Sequence, residues 1–282
     1  MKVGYAVLYE DGELVISKNH TLLLKKIIKN YGKFEDTNVP WEKESDQIKK
    51  VQILDQVKSN CMSEWFNDCI NLTTLINFKN LDVSDCTDFS FMFCTCKSLQ
   101  NIKGLEKWNV LNGTDFSFMF YDCQSLQDLI GLENWNTSSG TDFSCMFKYC
   151  MSLKDVNELT TWDVSNGIKF FTMFAYCESL QDLSGLEKWN ISNGRNFSYM
   201  FESCKSLEYI NDLQSWNIST CENFFNIFAY CKSLKEISLP DTLAILKLDM
   251  FDNCNSKLRI HWKKHIYSYG DLLEYKKNLL RD

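Results

Sequence analysis

A phenylalanine recurs at Phe66, Phe93, Phe120, Phe147, Phe174, Phe201 and Phe228, always 27 residues apart, with no insertion or deletion. A strict period of that length marks a solenoid: one unit cannot bury its apolar face alone and does so against the next. The unit reads best from Phe120 to Met146, F-Y-D-C-Q-S-L-Q-D-L-I-G-L-E-N-W-N-T-S-S-G-T-D-F-S-C-M. A stacked array grows by addition, so the 282 residues are read as one elongated body rather than as two globules. With 45% hydrophobic and 24% charged residues, the chain has apolar surface to bury and is no disordered, charge-rich tail.

Two periods alternate inside the unit. Phe143, Met146, Phe147 and Cys150 sit at i, i+3, i+4 and i+7, the spacing of a short helix, with Thr141 and Asp142 placed to cap its positive end. Leu153 and Val156 then head a short strand, matched by Leu126 with Leu129, Leu180 with Leu183 and Leu207 with Ile210, and stacking in register makes these a parallel sheet. A third corner carries Trp108, Trp135, Trp162, Trp189 and Trp216, with Leu81 in the first slot. Burying each aromatic contributes about 1.5–3 kcal/mol, which explains the repeated rings as core. The expected fold is an α/β solenoid of 27-residue coils, with a parallel sheet on one face, short helical segments on the return, and a cap at each end.

The expected organisation is an N-terminal cap over residues 1–60, the solenoid over 61–258 and a helical cap over 259–282. Residues 4–16 alternate around Asp11-Gly12, a pair suited to a tight hairpin turn. Thr21 to Tyr31 has apolar residues at helical spacing and reads as a capping helix stopped by Gly32. Ile48 to Leu54 reads as the strand of the first coil. Between Cys231 and Cys254 the period falls to 23 residues, and Leu239-Pro240 replaces the usual corner. Asp271 to Leu280 reads as a closing helix with Leu272, Leu273, Tyr275, Leu279 and Leu280 apolar and Lys276 and Lys277 on the wet side.

The run Trp135 to Leu153, W-N-T-S-S-G-T-D-F-S-C-M-F-K-Y-C-M-S-L, resembles the repeat of the BspA-like bacterial leucine-rich-repeat surface proteins, W-D-T-S-N-V-T-D-M-S-x-M-F-x-x-C-x-S-L. The resemblance spans Trp65 to Leu258, and D-G-E-L-V-I-S near the start is similar to the cap that precedes such arrays. It implies a right-handed leucine-rich-repeat solenoid and a binding role, because family members are mostly adhesins or cell-surface binding proteins. Phe89, Phe116, Phe143, Phe170, Phe197 and Phe224 stand where the family usually has Met, a volume-compatible exchange.

Eight of the 13 cysteines share one slot: Cys69, Cys96, Cys123, Cys150, Cys177, Cys204, Cys231 and Cys254. They read as small buried residues carrying free thiols, since parallel side chains in register do not bring their Cβ atoms to disulfide distance. Cys61, Cys86, Cys94, Cys145 and Cys221 lie off the slot without zinc-ligand spacing. His261 and His265, four apart in H-W-K-K-H, could present a metal site on one helix face but lack the glutamate of the zincin motif; the alternative is two polar residues of a capping segment. No nucleophile elbow or glycine-rich phosphate loop is present, so no catalytic, cofactor or metal residues are assigned.

Carboxylates line up on the strand: Asp128, Asp155 and Asp182, then Tyr209 and Glu236, with Asn101 before them. Exposed like charges about 5 Å apart repel by of order 1 kcal/mol per pair in water. Two readings follow: a solvated sheet face that the fold tolerates, or an acidic stripe awaiting a Lys/Arg-rich protein ligand. Asp82, Asn109, Asn136, Asp163, Asn190 and Asn217, each after the Trp slot, read as a structural ladder. The net charge of -7 argues against nucleic acid as the partner and fits a basic protein surface. The start Met1 to Glu10 offers an apolar run too short for a signal peptide, and no 18-residue apolar run occurs, so no membrane insertion is expected and the location read from the chain is cytoplasmic. The expected role is a non-enzymatic protein-interaction scaffold with Asp128, Asp155, Asp182, Tyr209 and Glu236 as its contact stripe. The alternatives are an exported cell-surface adhesin without its leader and an intracellular phage- or pathogen-type inhibitor of a host enzyme.

Overall fold

The structure is a computed structural model and describes residues 2–279. Its start is the expected hairpin: β1 (Lys2–Tyr9) and β2 (Glu13–Ser17) pair antiparallel with Val7 opposite Val15, turning at Gly12, whose φ of +79° suits a residue without Cβ. The helix expected over Thr21 to Tyr31 is not formed. Its second half is β3 (Ile27–Glu35), paired antiparallel with the far side of β1. A helix there would have needed a surface on which to bury its stripe, yet Leu22, Leu24, Ile27 and Ile28 are all exposed. The open edge of β1 offered a ladder of unpaired backbone groups, and the β-branched Ile27-Ile28 pair suits a strand.

The strand expected over Ile48 to Leu54 is realised as β4 (Lys50–Ile53), which pairs parallel with β2 and with β6 (Thr74–Ile76). The hairpin thus continues directly into the first coils. A second parallel pair, β5 (Val57–Lys58) with β7 (Leu81–Asp82), starts the opposite wall. Trp41 is buried against the first ring of the array, stacked on Phe66 at 6.3 Å, and its indole N–H donates to the Trp65 carbonyl at 2.6 Å.

Successive coils superpose their side chains in columns. The register phenylalanines stack at 5.4 Å from Phe66 to Phe93, 5.6 Å from Phe120 to Phe147 and 5.8 Å from Phe228 to Phe251, the last step spanning the 23-residue coil. A second column runs Phe89, Phe116, Phe143, Phe170, Phe197 and Phe224, with centroids 5.0–5.5 Å apart. Trp108, Trp135 and Trp162 stack at 6.2 and 6.1 Å.

The segment Phe143 to Cys150 is not the helix its spacing suggested. Alternate residues hydrogen-bond to the next coil (Phe143 N–H to Lys169 O, Cys145 to Phe171, Phe147 to Met173), while Met146, Lys148 and Cys150 close turns onto the residue three back. Cys145 and Tyr149 take positive φ, at 59° and 64°, each as the third residue of its four-residue turn. The helical spacing was real, but a helix would satisfy its backbone internally, whereas this chain spends half of those groups binding coil to coil. Short helical segments lie instead at the corner before Trp162, Trp189 and Trp216, as 3-10 turns over Asn157–Thr161, Ser184–Leu186 and Asp212–Ser215.

Beyond the β5–β7 pair, parallel pairing runs along two lines. One is a column of single bridges joining Asp88, Asp115, Asp142, Lys169, Asn196 and Asn223. The other is the leucine line, a regular sheet only at the ends: β4 with β6 at the start, and β8 (Tyr209–Ile210), β9 (Glu236–Ser238) and β10 (Arg259–Trp262) in parallel at the finish. β10 turns at Lys263-Lys264 into β11 (His265–Ser268), and α1 (Tyr269–Leu279) follows with Leu272 and Leu273 packed on the core. Residues 259–268, expected within a helical cap, are therefore a hairpin. Leu280 lies outside the described residues.

Candidate interaction face

The coils repeat one device many times: an Asp or Asn accepts a hydrogen bond from the backbone N–H two residues on, an Asx turn. After the tryptophan slot, Asp82, Asn109, Asn136, Asp163, Asn190 and Asn217 do so toward residues 84, 111, 138, 165, 192 and 219. These six are the structural ladder expected of them. Asp88, Asp115, Asp142, Asn196 and Asn223 do the same before the second phenylalanine column.

The acidic column adds a third set. Asp128 accepts from Ile130 N–H at 3.2 Å, Asp155 from Asn157 at 3.3 Å and Asp182 from Ser184 at 2.8 Å. Each turn takes the N–H of the second residue after the aspartate, in coils where the leucine line forms no regular strand. Where Tyr209 and Glu236 fill the slot the aspartate is gone, and there β8 and β9 form a regular pair with Tyr209 opposite Glu236. One carboxylate oxygen of each aspartate is thus committed to its own turn. Only Asp182 spends the second as well, on the Ser184 hydroxyl.

At four places the array cross-pairs charges from coil to coil: Lys169 with Asp142 at 2.8 Å, Lys205 with Glu178 at 2.6 Å, Lys235 with Glu208 at 2.5 Å and Arg195 with Glu222 at 2.9 Å. The acidic face differs. Asp128, Asp155 and Asp182, with Glu133, Glu158, Glu187 and Asp212 at the following corner, take part in no ion pair among the described residues. Burial first, and then Asp155, Asp128 and Glu133, push the Glu158 carboxyl above its ordinary value. Asp212 is raised likewise by burial and by Asp182 and Glu187. At these two corner acids the neighbouring carboxylates add to burial in opposing ionisation.

The stripe changes character toward the C-terminus. Tyr209 is 55% exposed with the Lys235 ammonium 5.4 Å from its ring, and Glu236 is held by Arg259 and, at 2.6 Å, by His261 Nε2. Glu236 is therefore a neutralised end. His261 and His265 lie on the two strands of the closing hairpin, not on one helix face, so the i, i+4 argument fails: the chain turns at Lys263-Lys264, with Trp262 paired to His265. Among the described residues no group of three or more His, Cys, Asp or Glu is arranged to hold a metal ion.

All 13 cysteines are free thiols. Slot residues Cys96, Cys123, Cys150, Cys204 and Cys231 are fully buried, and burial pushes their thiols well above the ordinary value. Sequence reading missed what they do: from Cys96 to Cys254 each donates to the carbonyl of a register phenylalanine one coil back, as Cys150 does to Phe120 at 3.2 Å. The tryptophans donate in the same way, Trp162 Nε1 to Leu132 O at 2.9 Å. Both bonds span 30 residues in the 27-residue coils, a spacing that the period alone could have suggested.

Residues 60–183 and 154–259 match the family described as Mycoplasma protein of unknown function, DUF285. These are the coils on which the BspA-like pattern was read. No curated protein matches significantly. The chain is similar in structure to a leucine-rich cell surface protein from Faecalibacterium prausnitzii A2-165, at 14% identity and TM-score 0.33 over 95% of each chain. It is also similar to leucine-rich repeat proteins from Eubacterium ventriosum (15% identity, TM-score 0.30, 92% of this chain and 82% of that one) and Bacteroides ovatus (14%, 0.24, 93% and 98%).

Proposed function

We propose that this chain, which belongs to the family of Mycoplasma proteins of unknown function DUF285, is a non-enzymatic interaction scaffold that binds a protein with a basic surface through its acidic face. One observation carries the reading. Opposite charges pair from coil to coil at Asp142 with Lys169, Glu178 with Lys205 and Glu208 with Lys235, while Asp128, Asp155 and Asp182 and the corner acids beside them form no ion pair among the described residues, and at Glu158 and Asp212 burial and then the neighbouring carboxylates oppose ionisation. Such a column costs stability in the isolated protein, and a Lys/Arg-rich ligand would relieve the cost while steering its own approach. Tyr209 adds an exposed ring at the end of the stripe, and Glu236, already neutralised by Arg259, marks its limit rather than its centre. Thirteen free thiols, seven of those in the slot donating hydrogen bonds to the coil before, support a reducing and hence cytoplasmic setting.

The test exploits the Asx turns. Asparagine keeps the acceptor that each aspartate gives its own backbone and removes only the charge, so the triple variant Asp128→Asn, Asp155→Asn, Asp182→Asn separates binding from folding. Affinity capture from native lysate should yield a basic partner whose recovery falls with salt and is largely lost with the triple variant. A partner retained equally by both proteins, at low and high salt alike, would remove the assignment.

A further inference from the structure

The second phenylalanine column stops without a cover. Phe89, Phe116, Phe143, Phe170 and Phe197 are fully buried, each lying under the ring of the next coil, whereas Phe224 is only partly buried. The reason lies in the register. Each member of this column precedes the register phenylalanine of its own coil by four residues, so in the 23-residue coil the slot before Phe251 falls to Lys247, whose side chain is exposed. Beside Phe224 and Lys247 there is an open pocket of about 200 Å³, walled by Phe224, Ile218, Leu243 and Met250 and also by the polar Ser219 and Thr242.

Size and chemistry select an occupant. A sealed cavity of about 150 Å³ lined by Leu, Ile and Phe takes up benzene, so this pocket, open and partly polar, has room for one aromatic ring system with a polar substituent. The ring columns beneath set the geometry, a flat ring about 5–5.5 Å above Phe224 and near parallel to it. At the rim stand two charges, Glu222 and Lys247. Arg195 already holds Glu222 at 2.9 Å, while Lys247 has no ion-pair partner among the described residues. The mouth therefore presents one uncompensated ammonium.

We propose that this cavity is a binding site for a planar aromatic carboxylate, its ring stacked on Phe224 as the next member of the column and its carboxylate on Lys247. The site is separate from the acidic face and does not depend on the role proposed for it.

Titration of the full chain with indole-3-carboxylate, followed by ligand-detected NMR and calorimetry, tests the assignment. Saturable binding with a Kd of about 1 mM or tighter is expected. Cyclohexanecarboxylate, equally charged but not flat, should bind about tenfold more weakly or not at all. Lys247→Gln should weaken binding about fivefold while leaving the melting temperature near that of the parent. Lys247→Phe should place the missing ring on Phe224, abolish binding and raise the melting temperature, two changes that a merely disrupted variant would not show together. Absence of saturable binding, equal affinity for the flat and the saturated acid, or undiminished binding to Lys247→Phe would each overturn the proposal. Binding of N-acetyltryptophanamide in preference to the free acid would overturn it in favour of a partner's aromatic side chain.

Discussion

The thiol of Cys150 donates to the carbonyl oxygen of Phe120 at 3.2 Å, and that same oxygen already accepts the backbone N–H of Cys123 at 3.3 Å. The sulfur therefore takes the second lone pair and ties two coils. A slot that needed only a small apolar residue would be served as well by Val. Cys150→Val is expected to cost about 0.5–1.5 kcal/mol, the net worth of one hydrogen bond, although it fills the space. Urea denaturation of the parent and of Cys150→Val checks this; equal stability would reduce the column to packing.

The same burial makes the thiols slow to react. Only Cys61, Cys221 and Cys254 are more than slightly exposed, and burial pushes all three thiols above the ordinary value, Cys221 and Cys254 to about 12. Because the thiolate is the nucleophile, alkylation of the native protein should be confined to these three of the 13 cysteines at pH 8. At Cys221 and Cys254 the rate should climb about tenfold per pH unit up to pH 10. Mass spectrometry after timed iodoacetamide treatment reads both outcomes, and rapid modification of Cys123 or Cys150 would contradict the buried ladder.

Trp162 carries two roles that substitution can separate. Its ring stacks on Trp135 at 6.1 Å, and its Nε1 donates to Leu132 O at 2.9 Å. Trp162→Ala removes both and leaves a cavity between two coils, at a cost of about 3–5 kcal/mol. Trp162→Phe keeps a ring in the column but loses the donor and some volume, and should cost about 1–3 kcal/mol. Chemical denaturation orders the three proteins, and an alanine variant no weaker than the phenylalanine one would refute the stacked-column account.

Periodicity made the columns legible, because a residue's place in a solenoid depends only on its offset from Phe120 or Trp135, and those offsets are visible in the sequence. What periodicity could not convey was where backbone groups go. Phe143, Met146, Phe147 and Cys150 carry helical spacing, yet a row of turns with Cys145 and Tyr149 at positive φ also directs those four inward. Thr21 to Tyr31 failed for a related reason, since Ile27 and Ile28 fit either period and the free edge of β1 decided between them. Among the site residues, the alignment of Asp128, Asp155 and Asp182 was readable, but the Asx turns that bend the chain there were not. The pairing of Glu236 with Arg259 depends on the shortened last coil bringing residue 259 beside residue 236, and the 23-residue step between Cys231 and Cys254 was the signal for it.

The crowded carboxylates predict a pH dependence of definite sign. Burial raises Glu158 above its ordinary 4.5, and Asp155, Asp128 and Glu133 push it further in the same direction. A carboxyl whose folded value exceeds its unfolded one binds its proton more tightly in the native state, so its ionisation destabilises the fold. The penalty is full above the raised value and disappears as pH falls through it to the ordinary one. Glu158→Gln should therefore be more stable than the parent at pH 7, and the gap should narrow progressively toward pH 4. Asp182→Asn should do the same by relieving Asp212, whose carboxyl is also held up by burial and then by Asp182 and Glu187. The whole protein will weaken in acid regardless. Asp142, for example, is held below its ordinary value because Lys169 and Ser144 outweigh its burial, and stability of that kind is lost as the pH falls through the folded pKa. The informative quantity is thus the difference between variant and parent at each pH, read from urea midpoints at pH 7, 5.5 and 4. A constant advantage for Glu158→Gln across that range would point to packing, and a disadvantage at pH 7 would mean that the charge is already compensated.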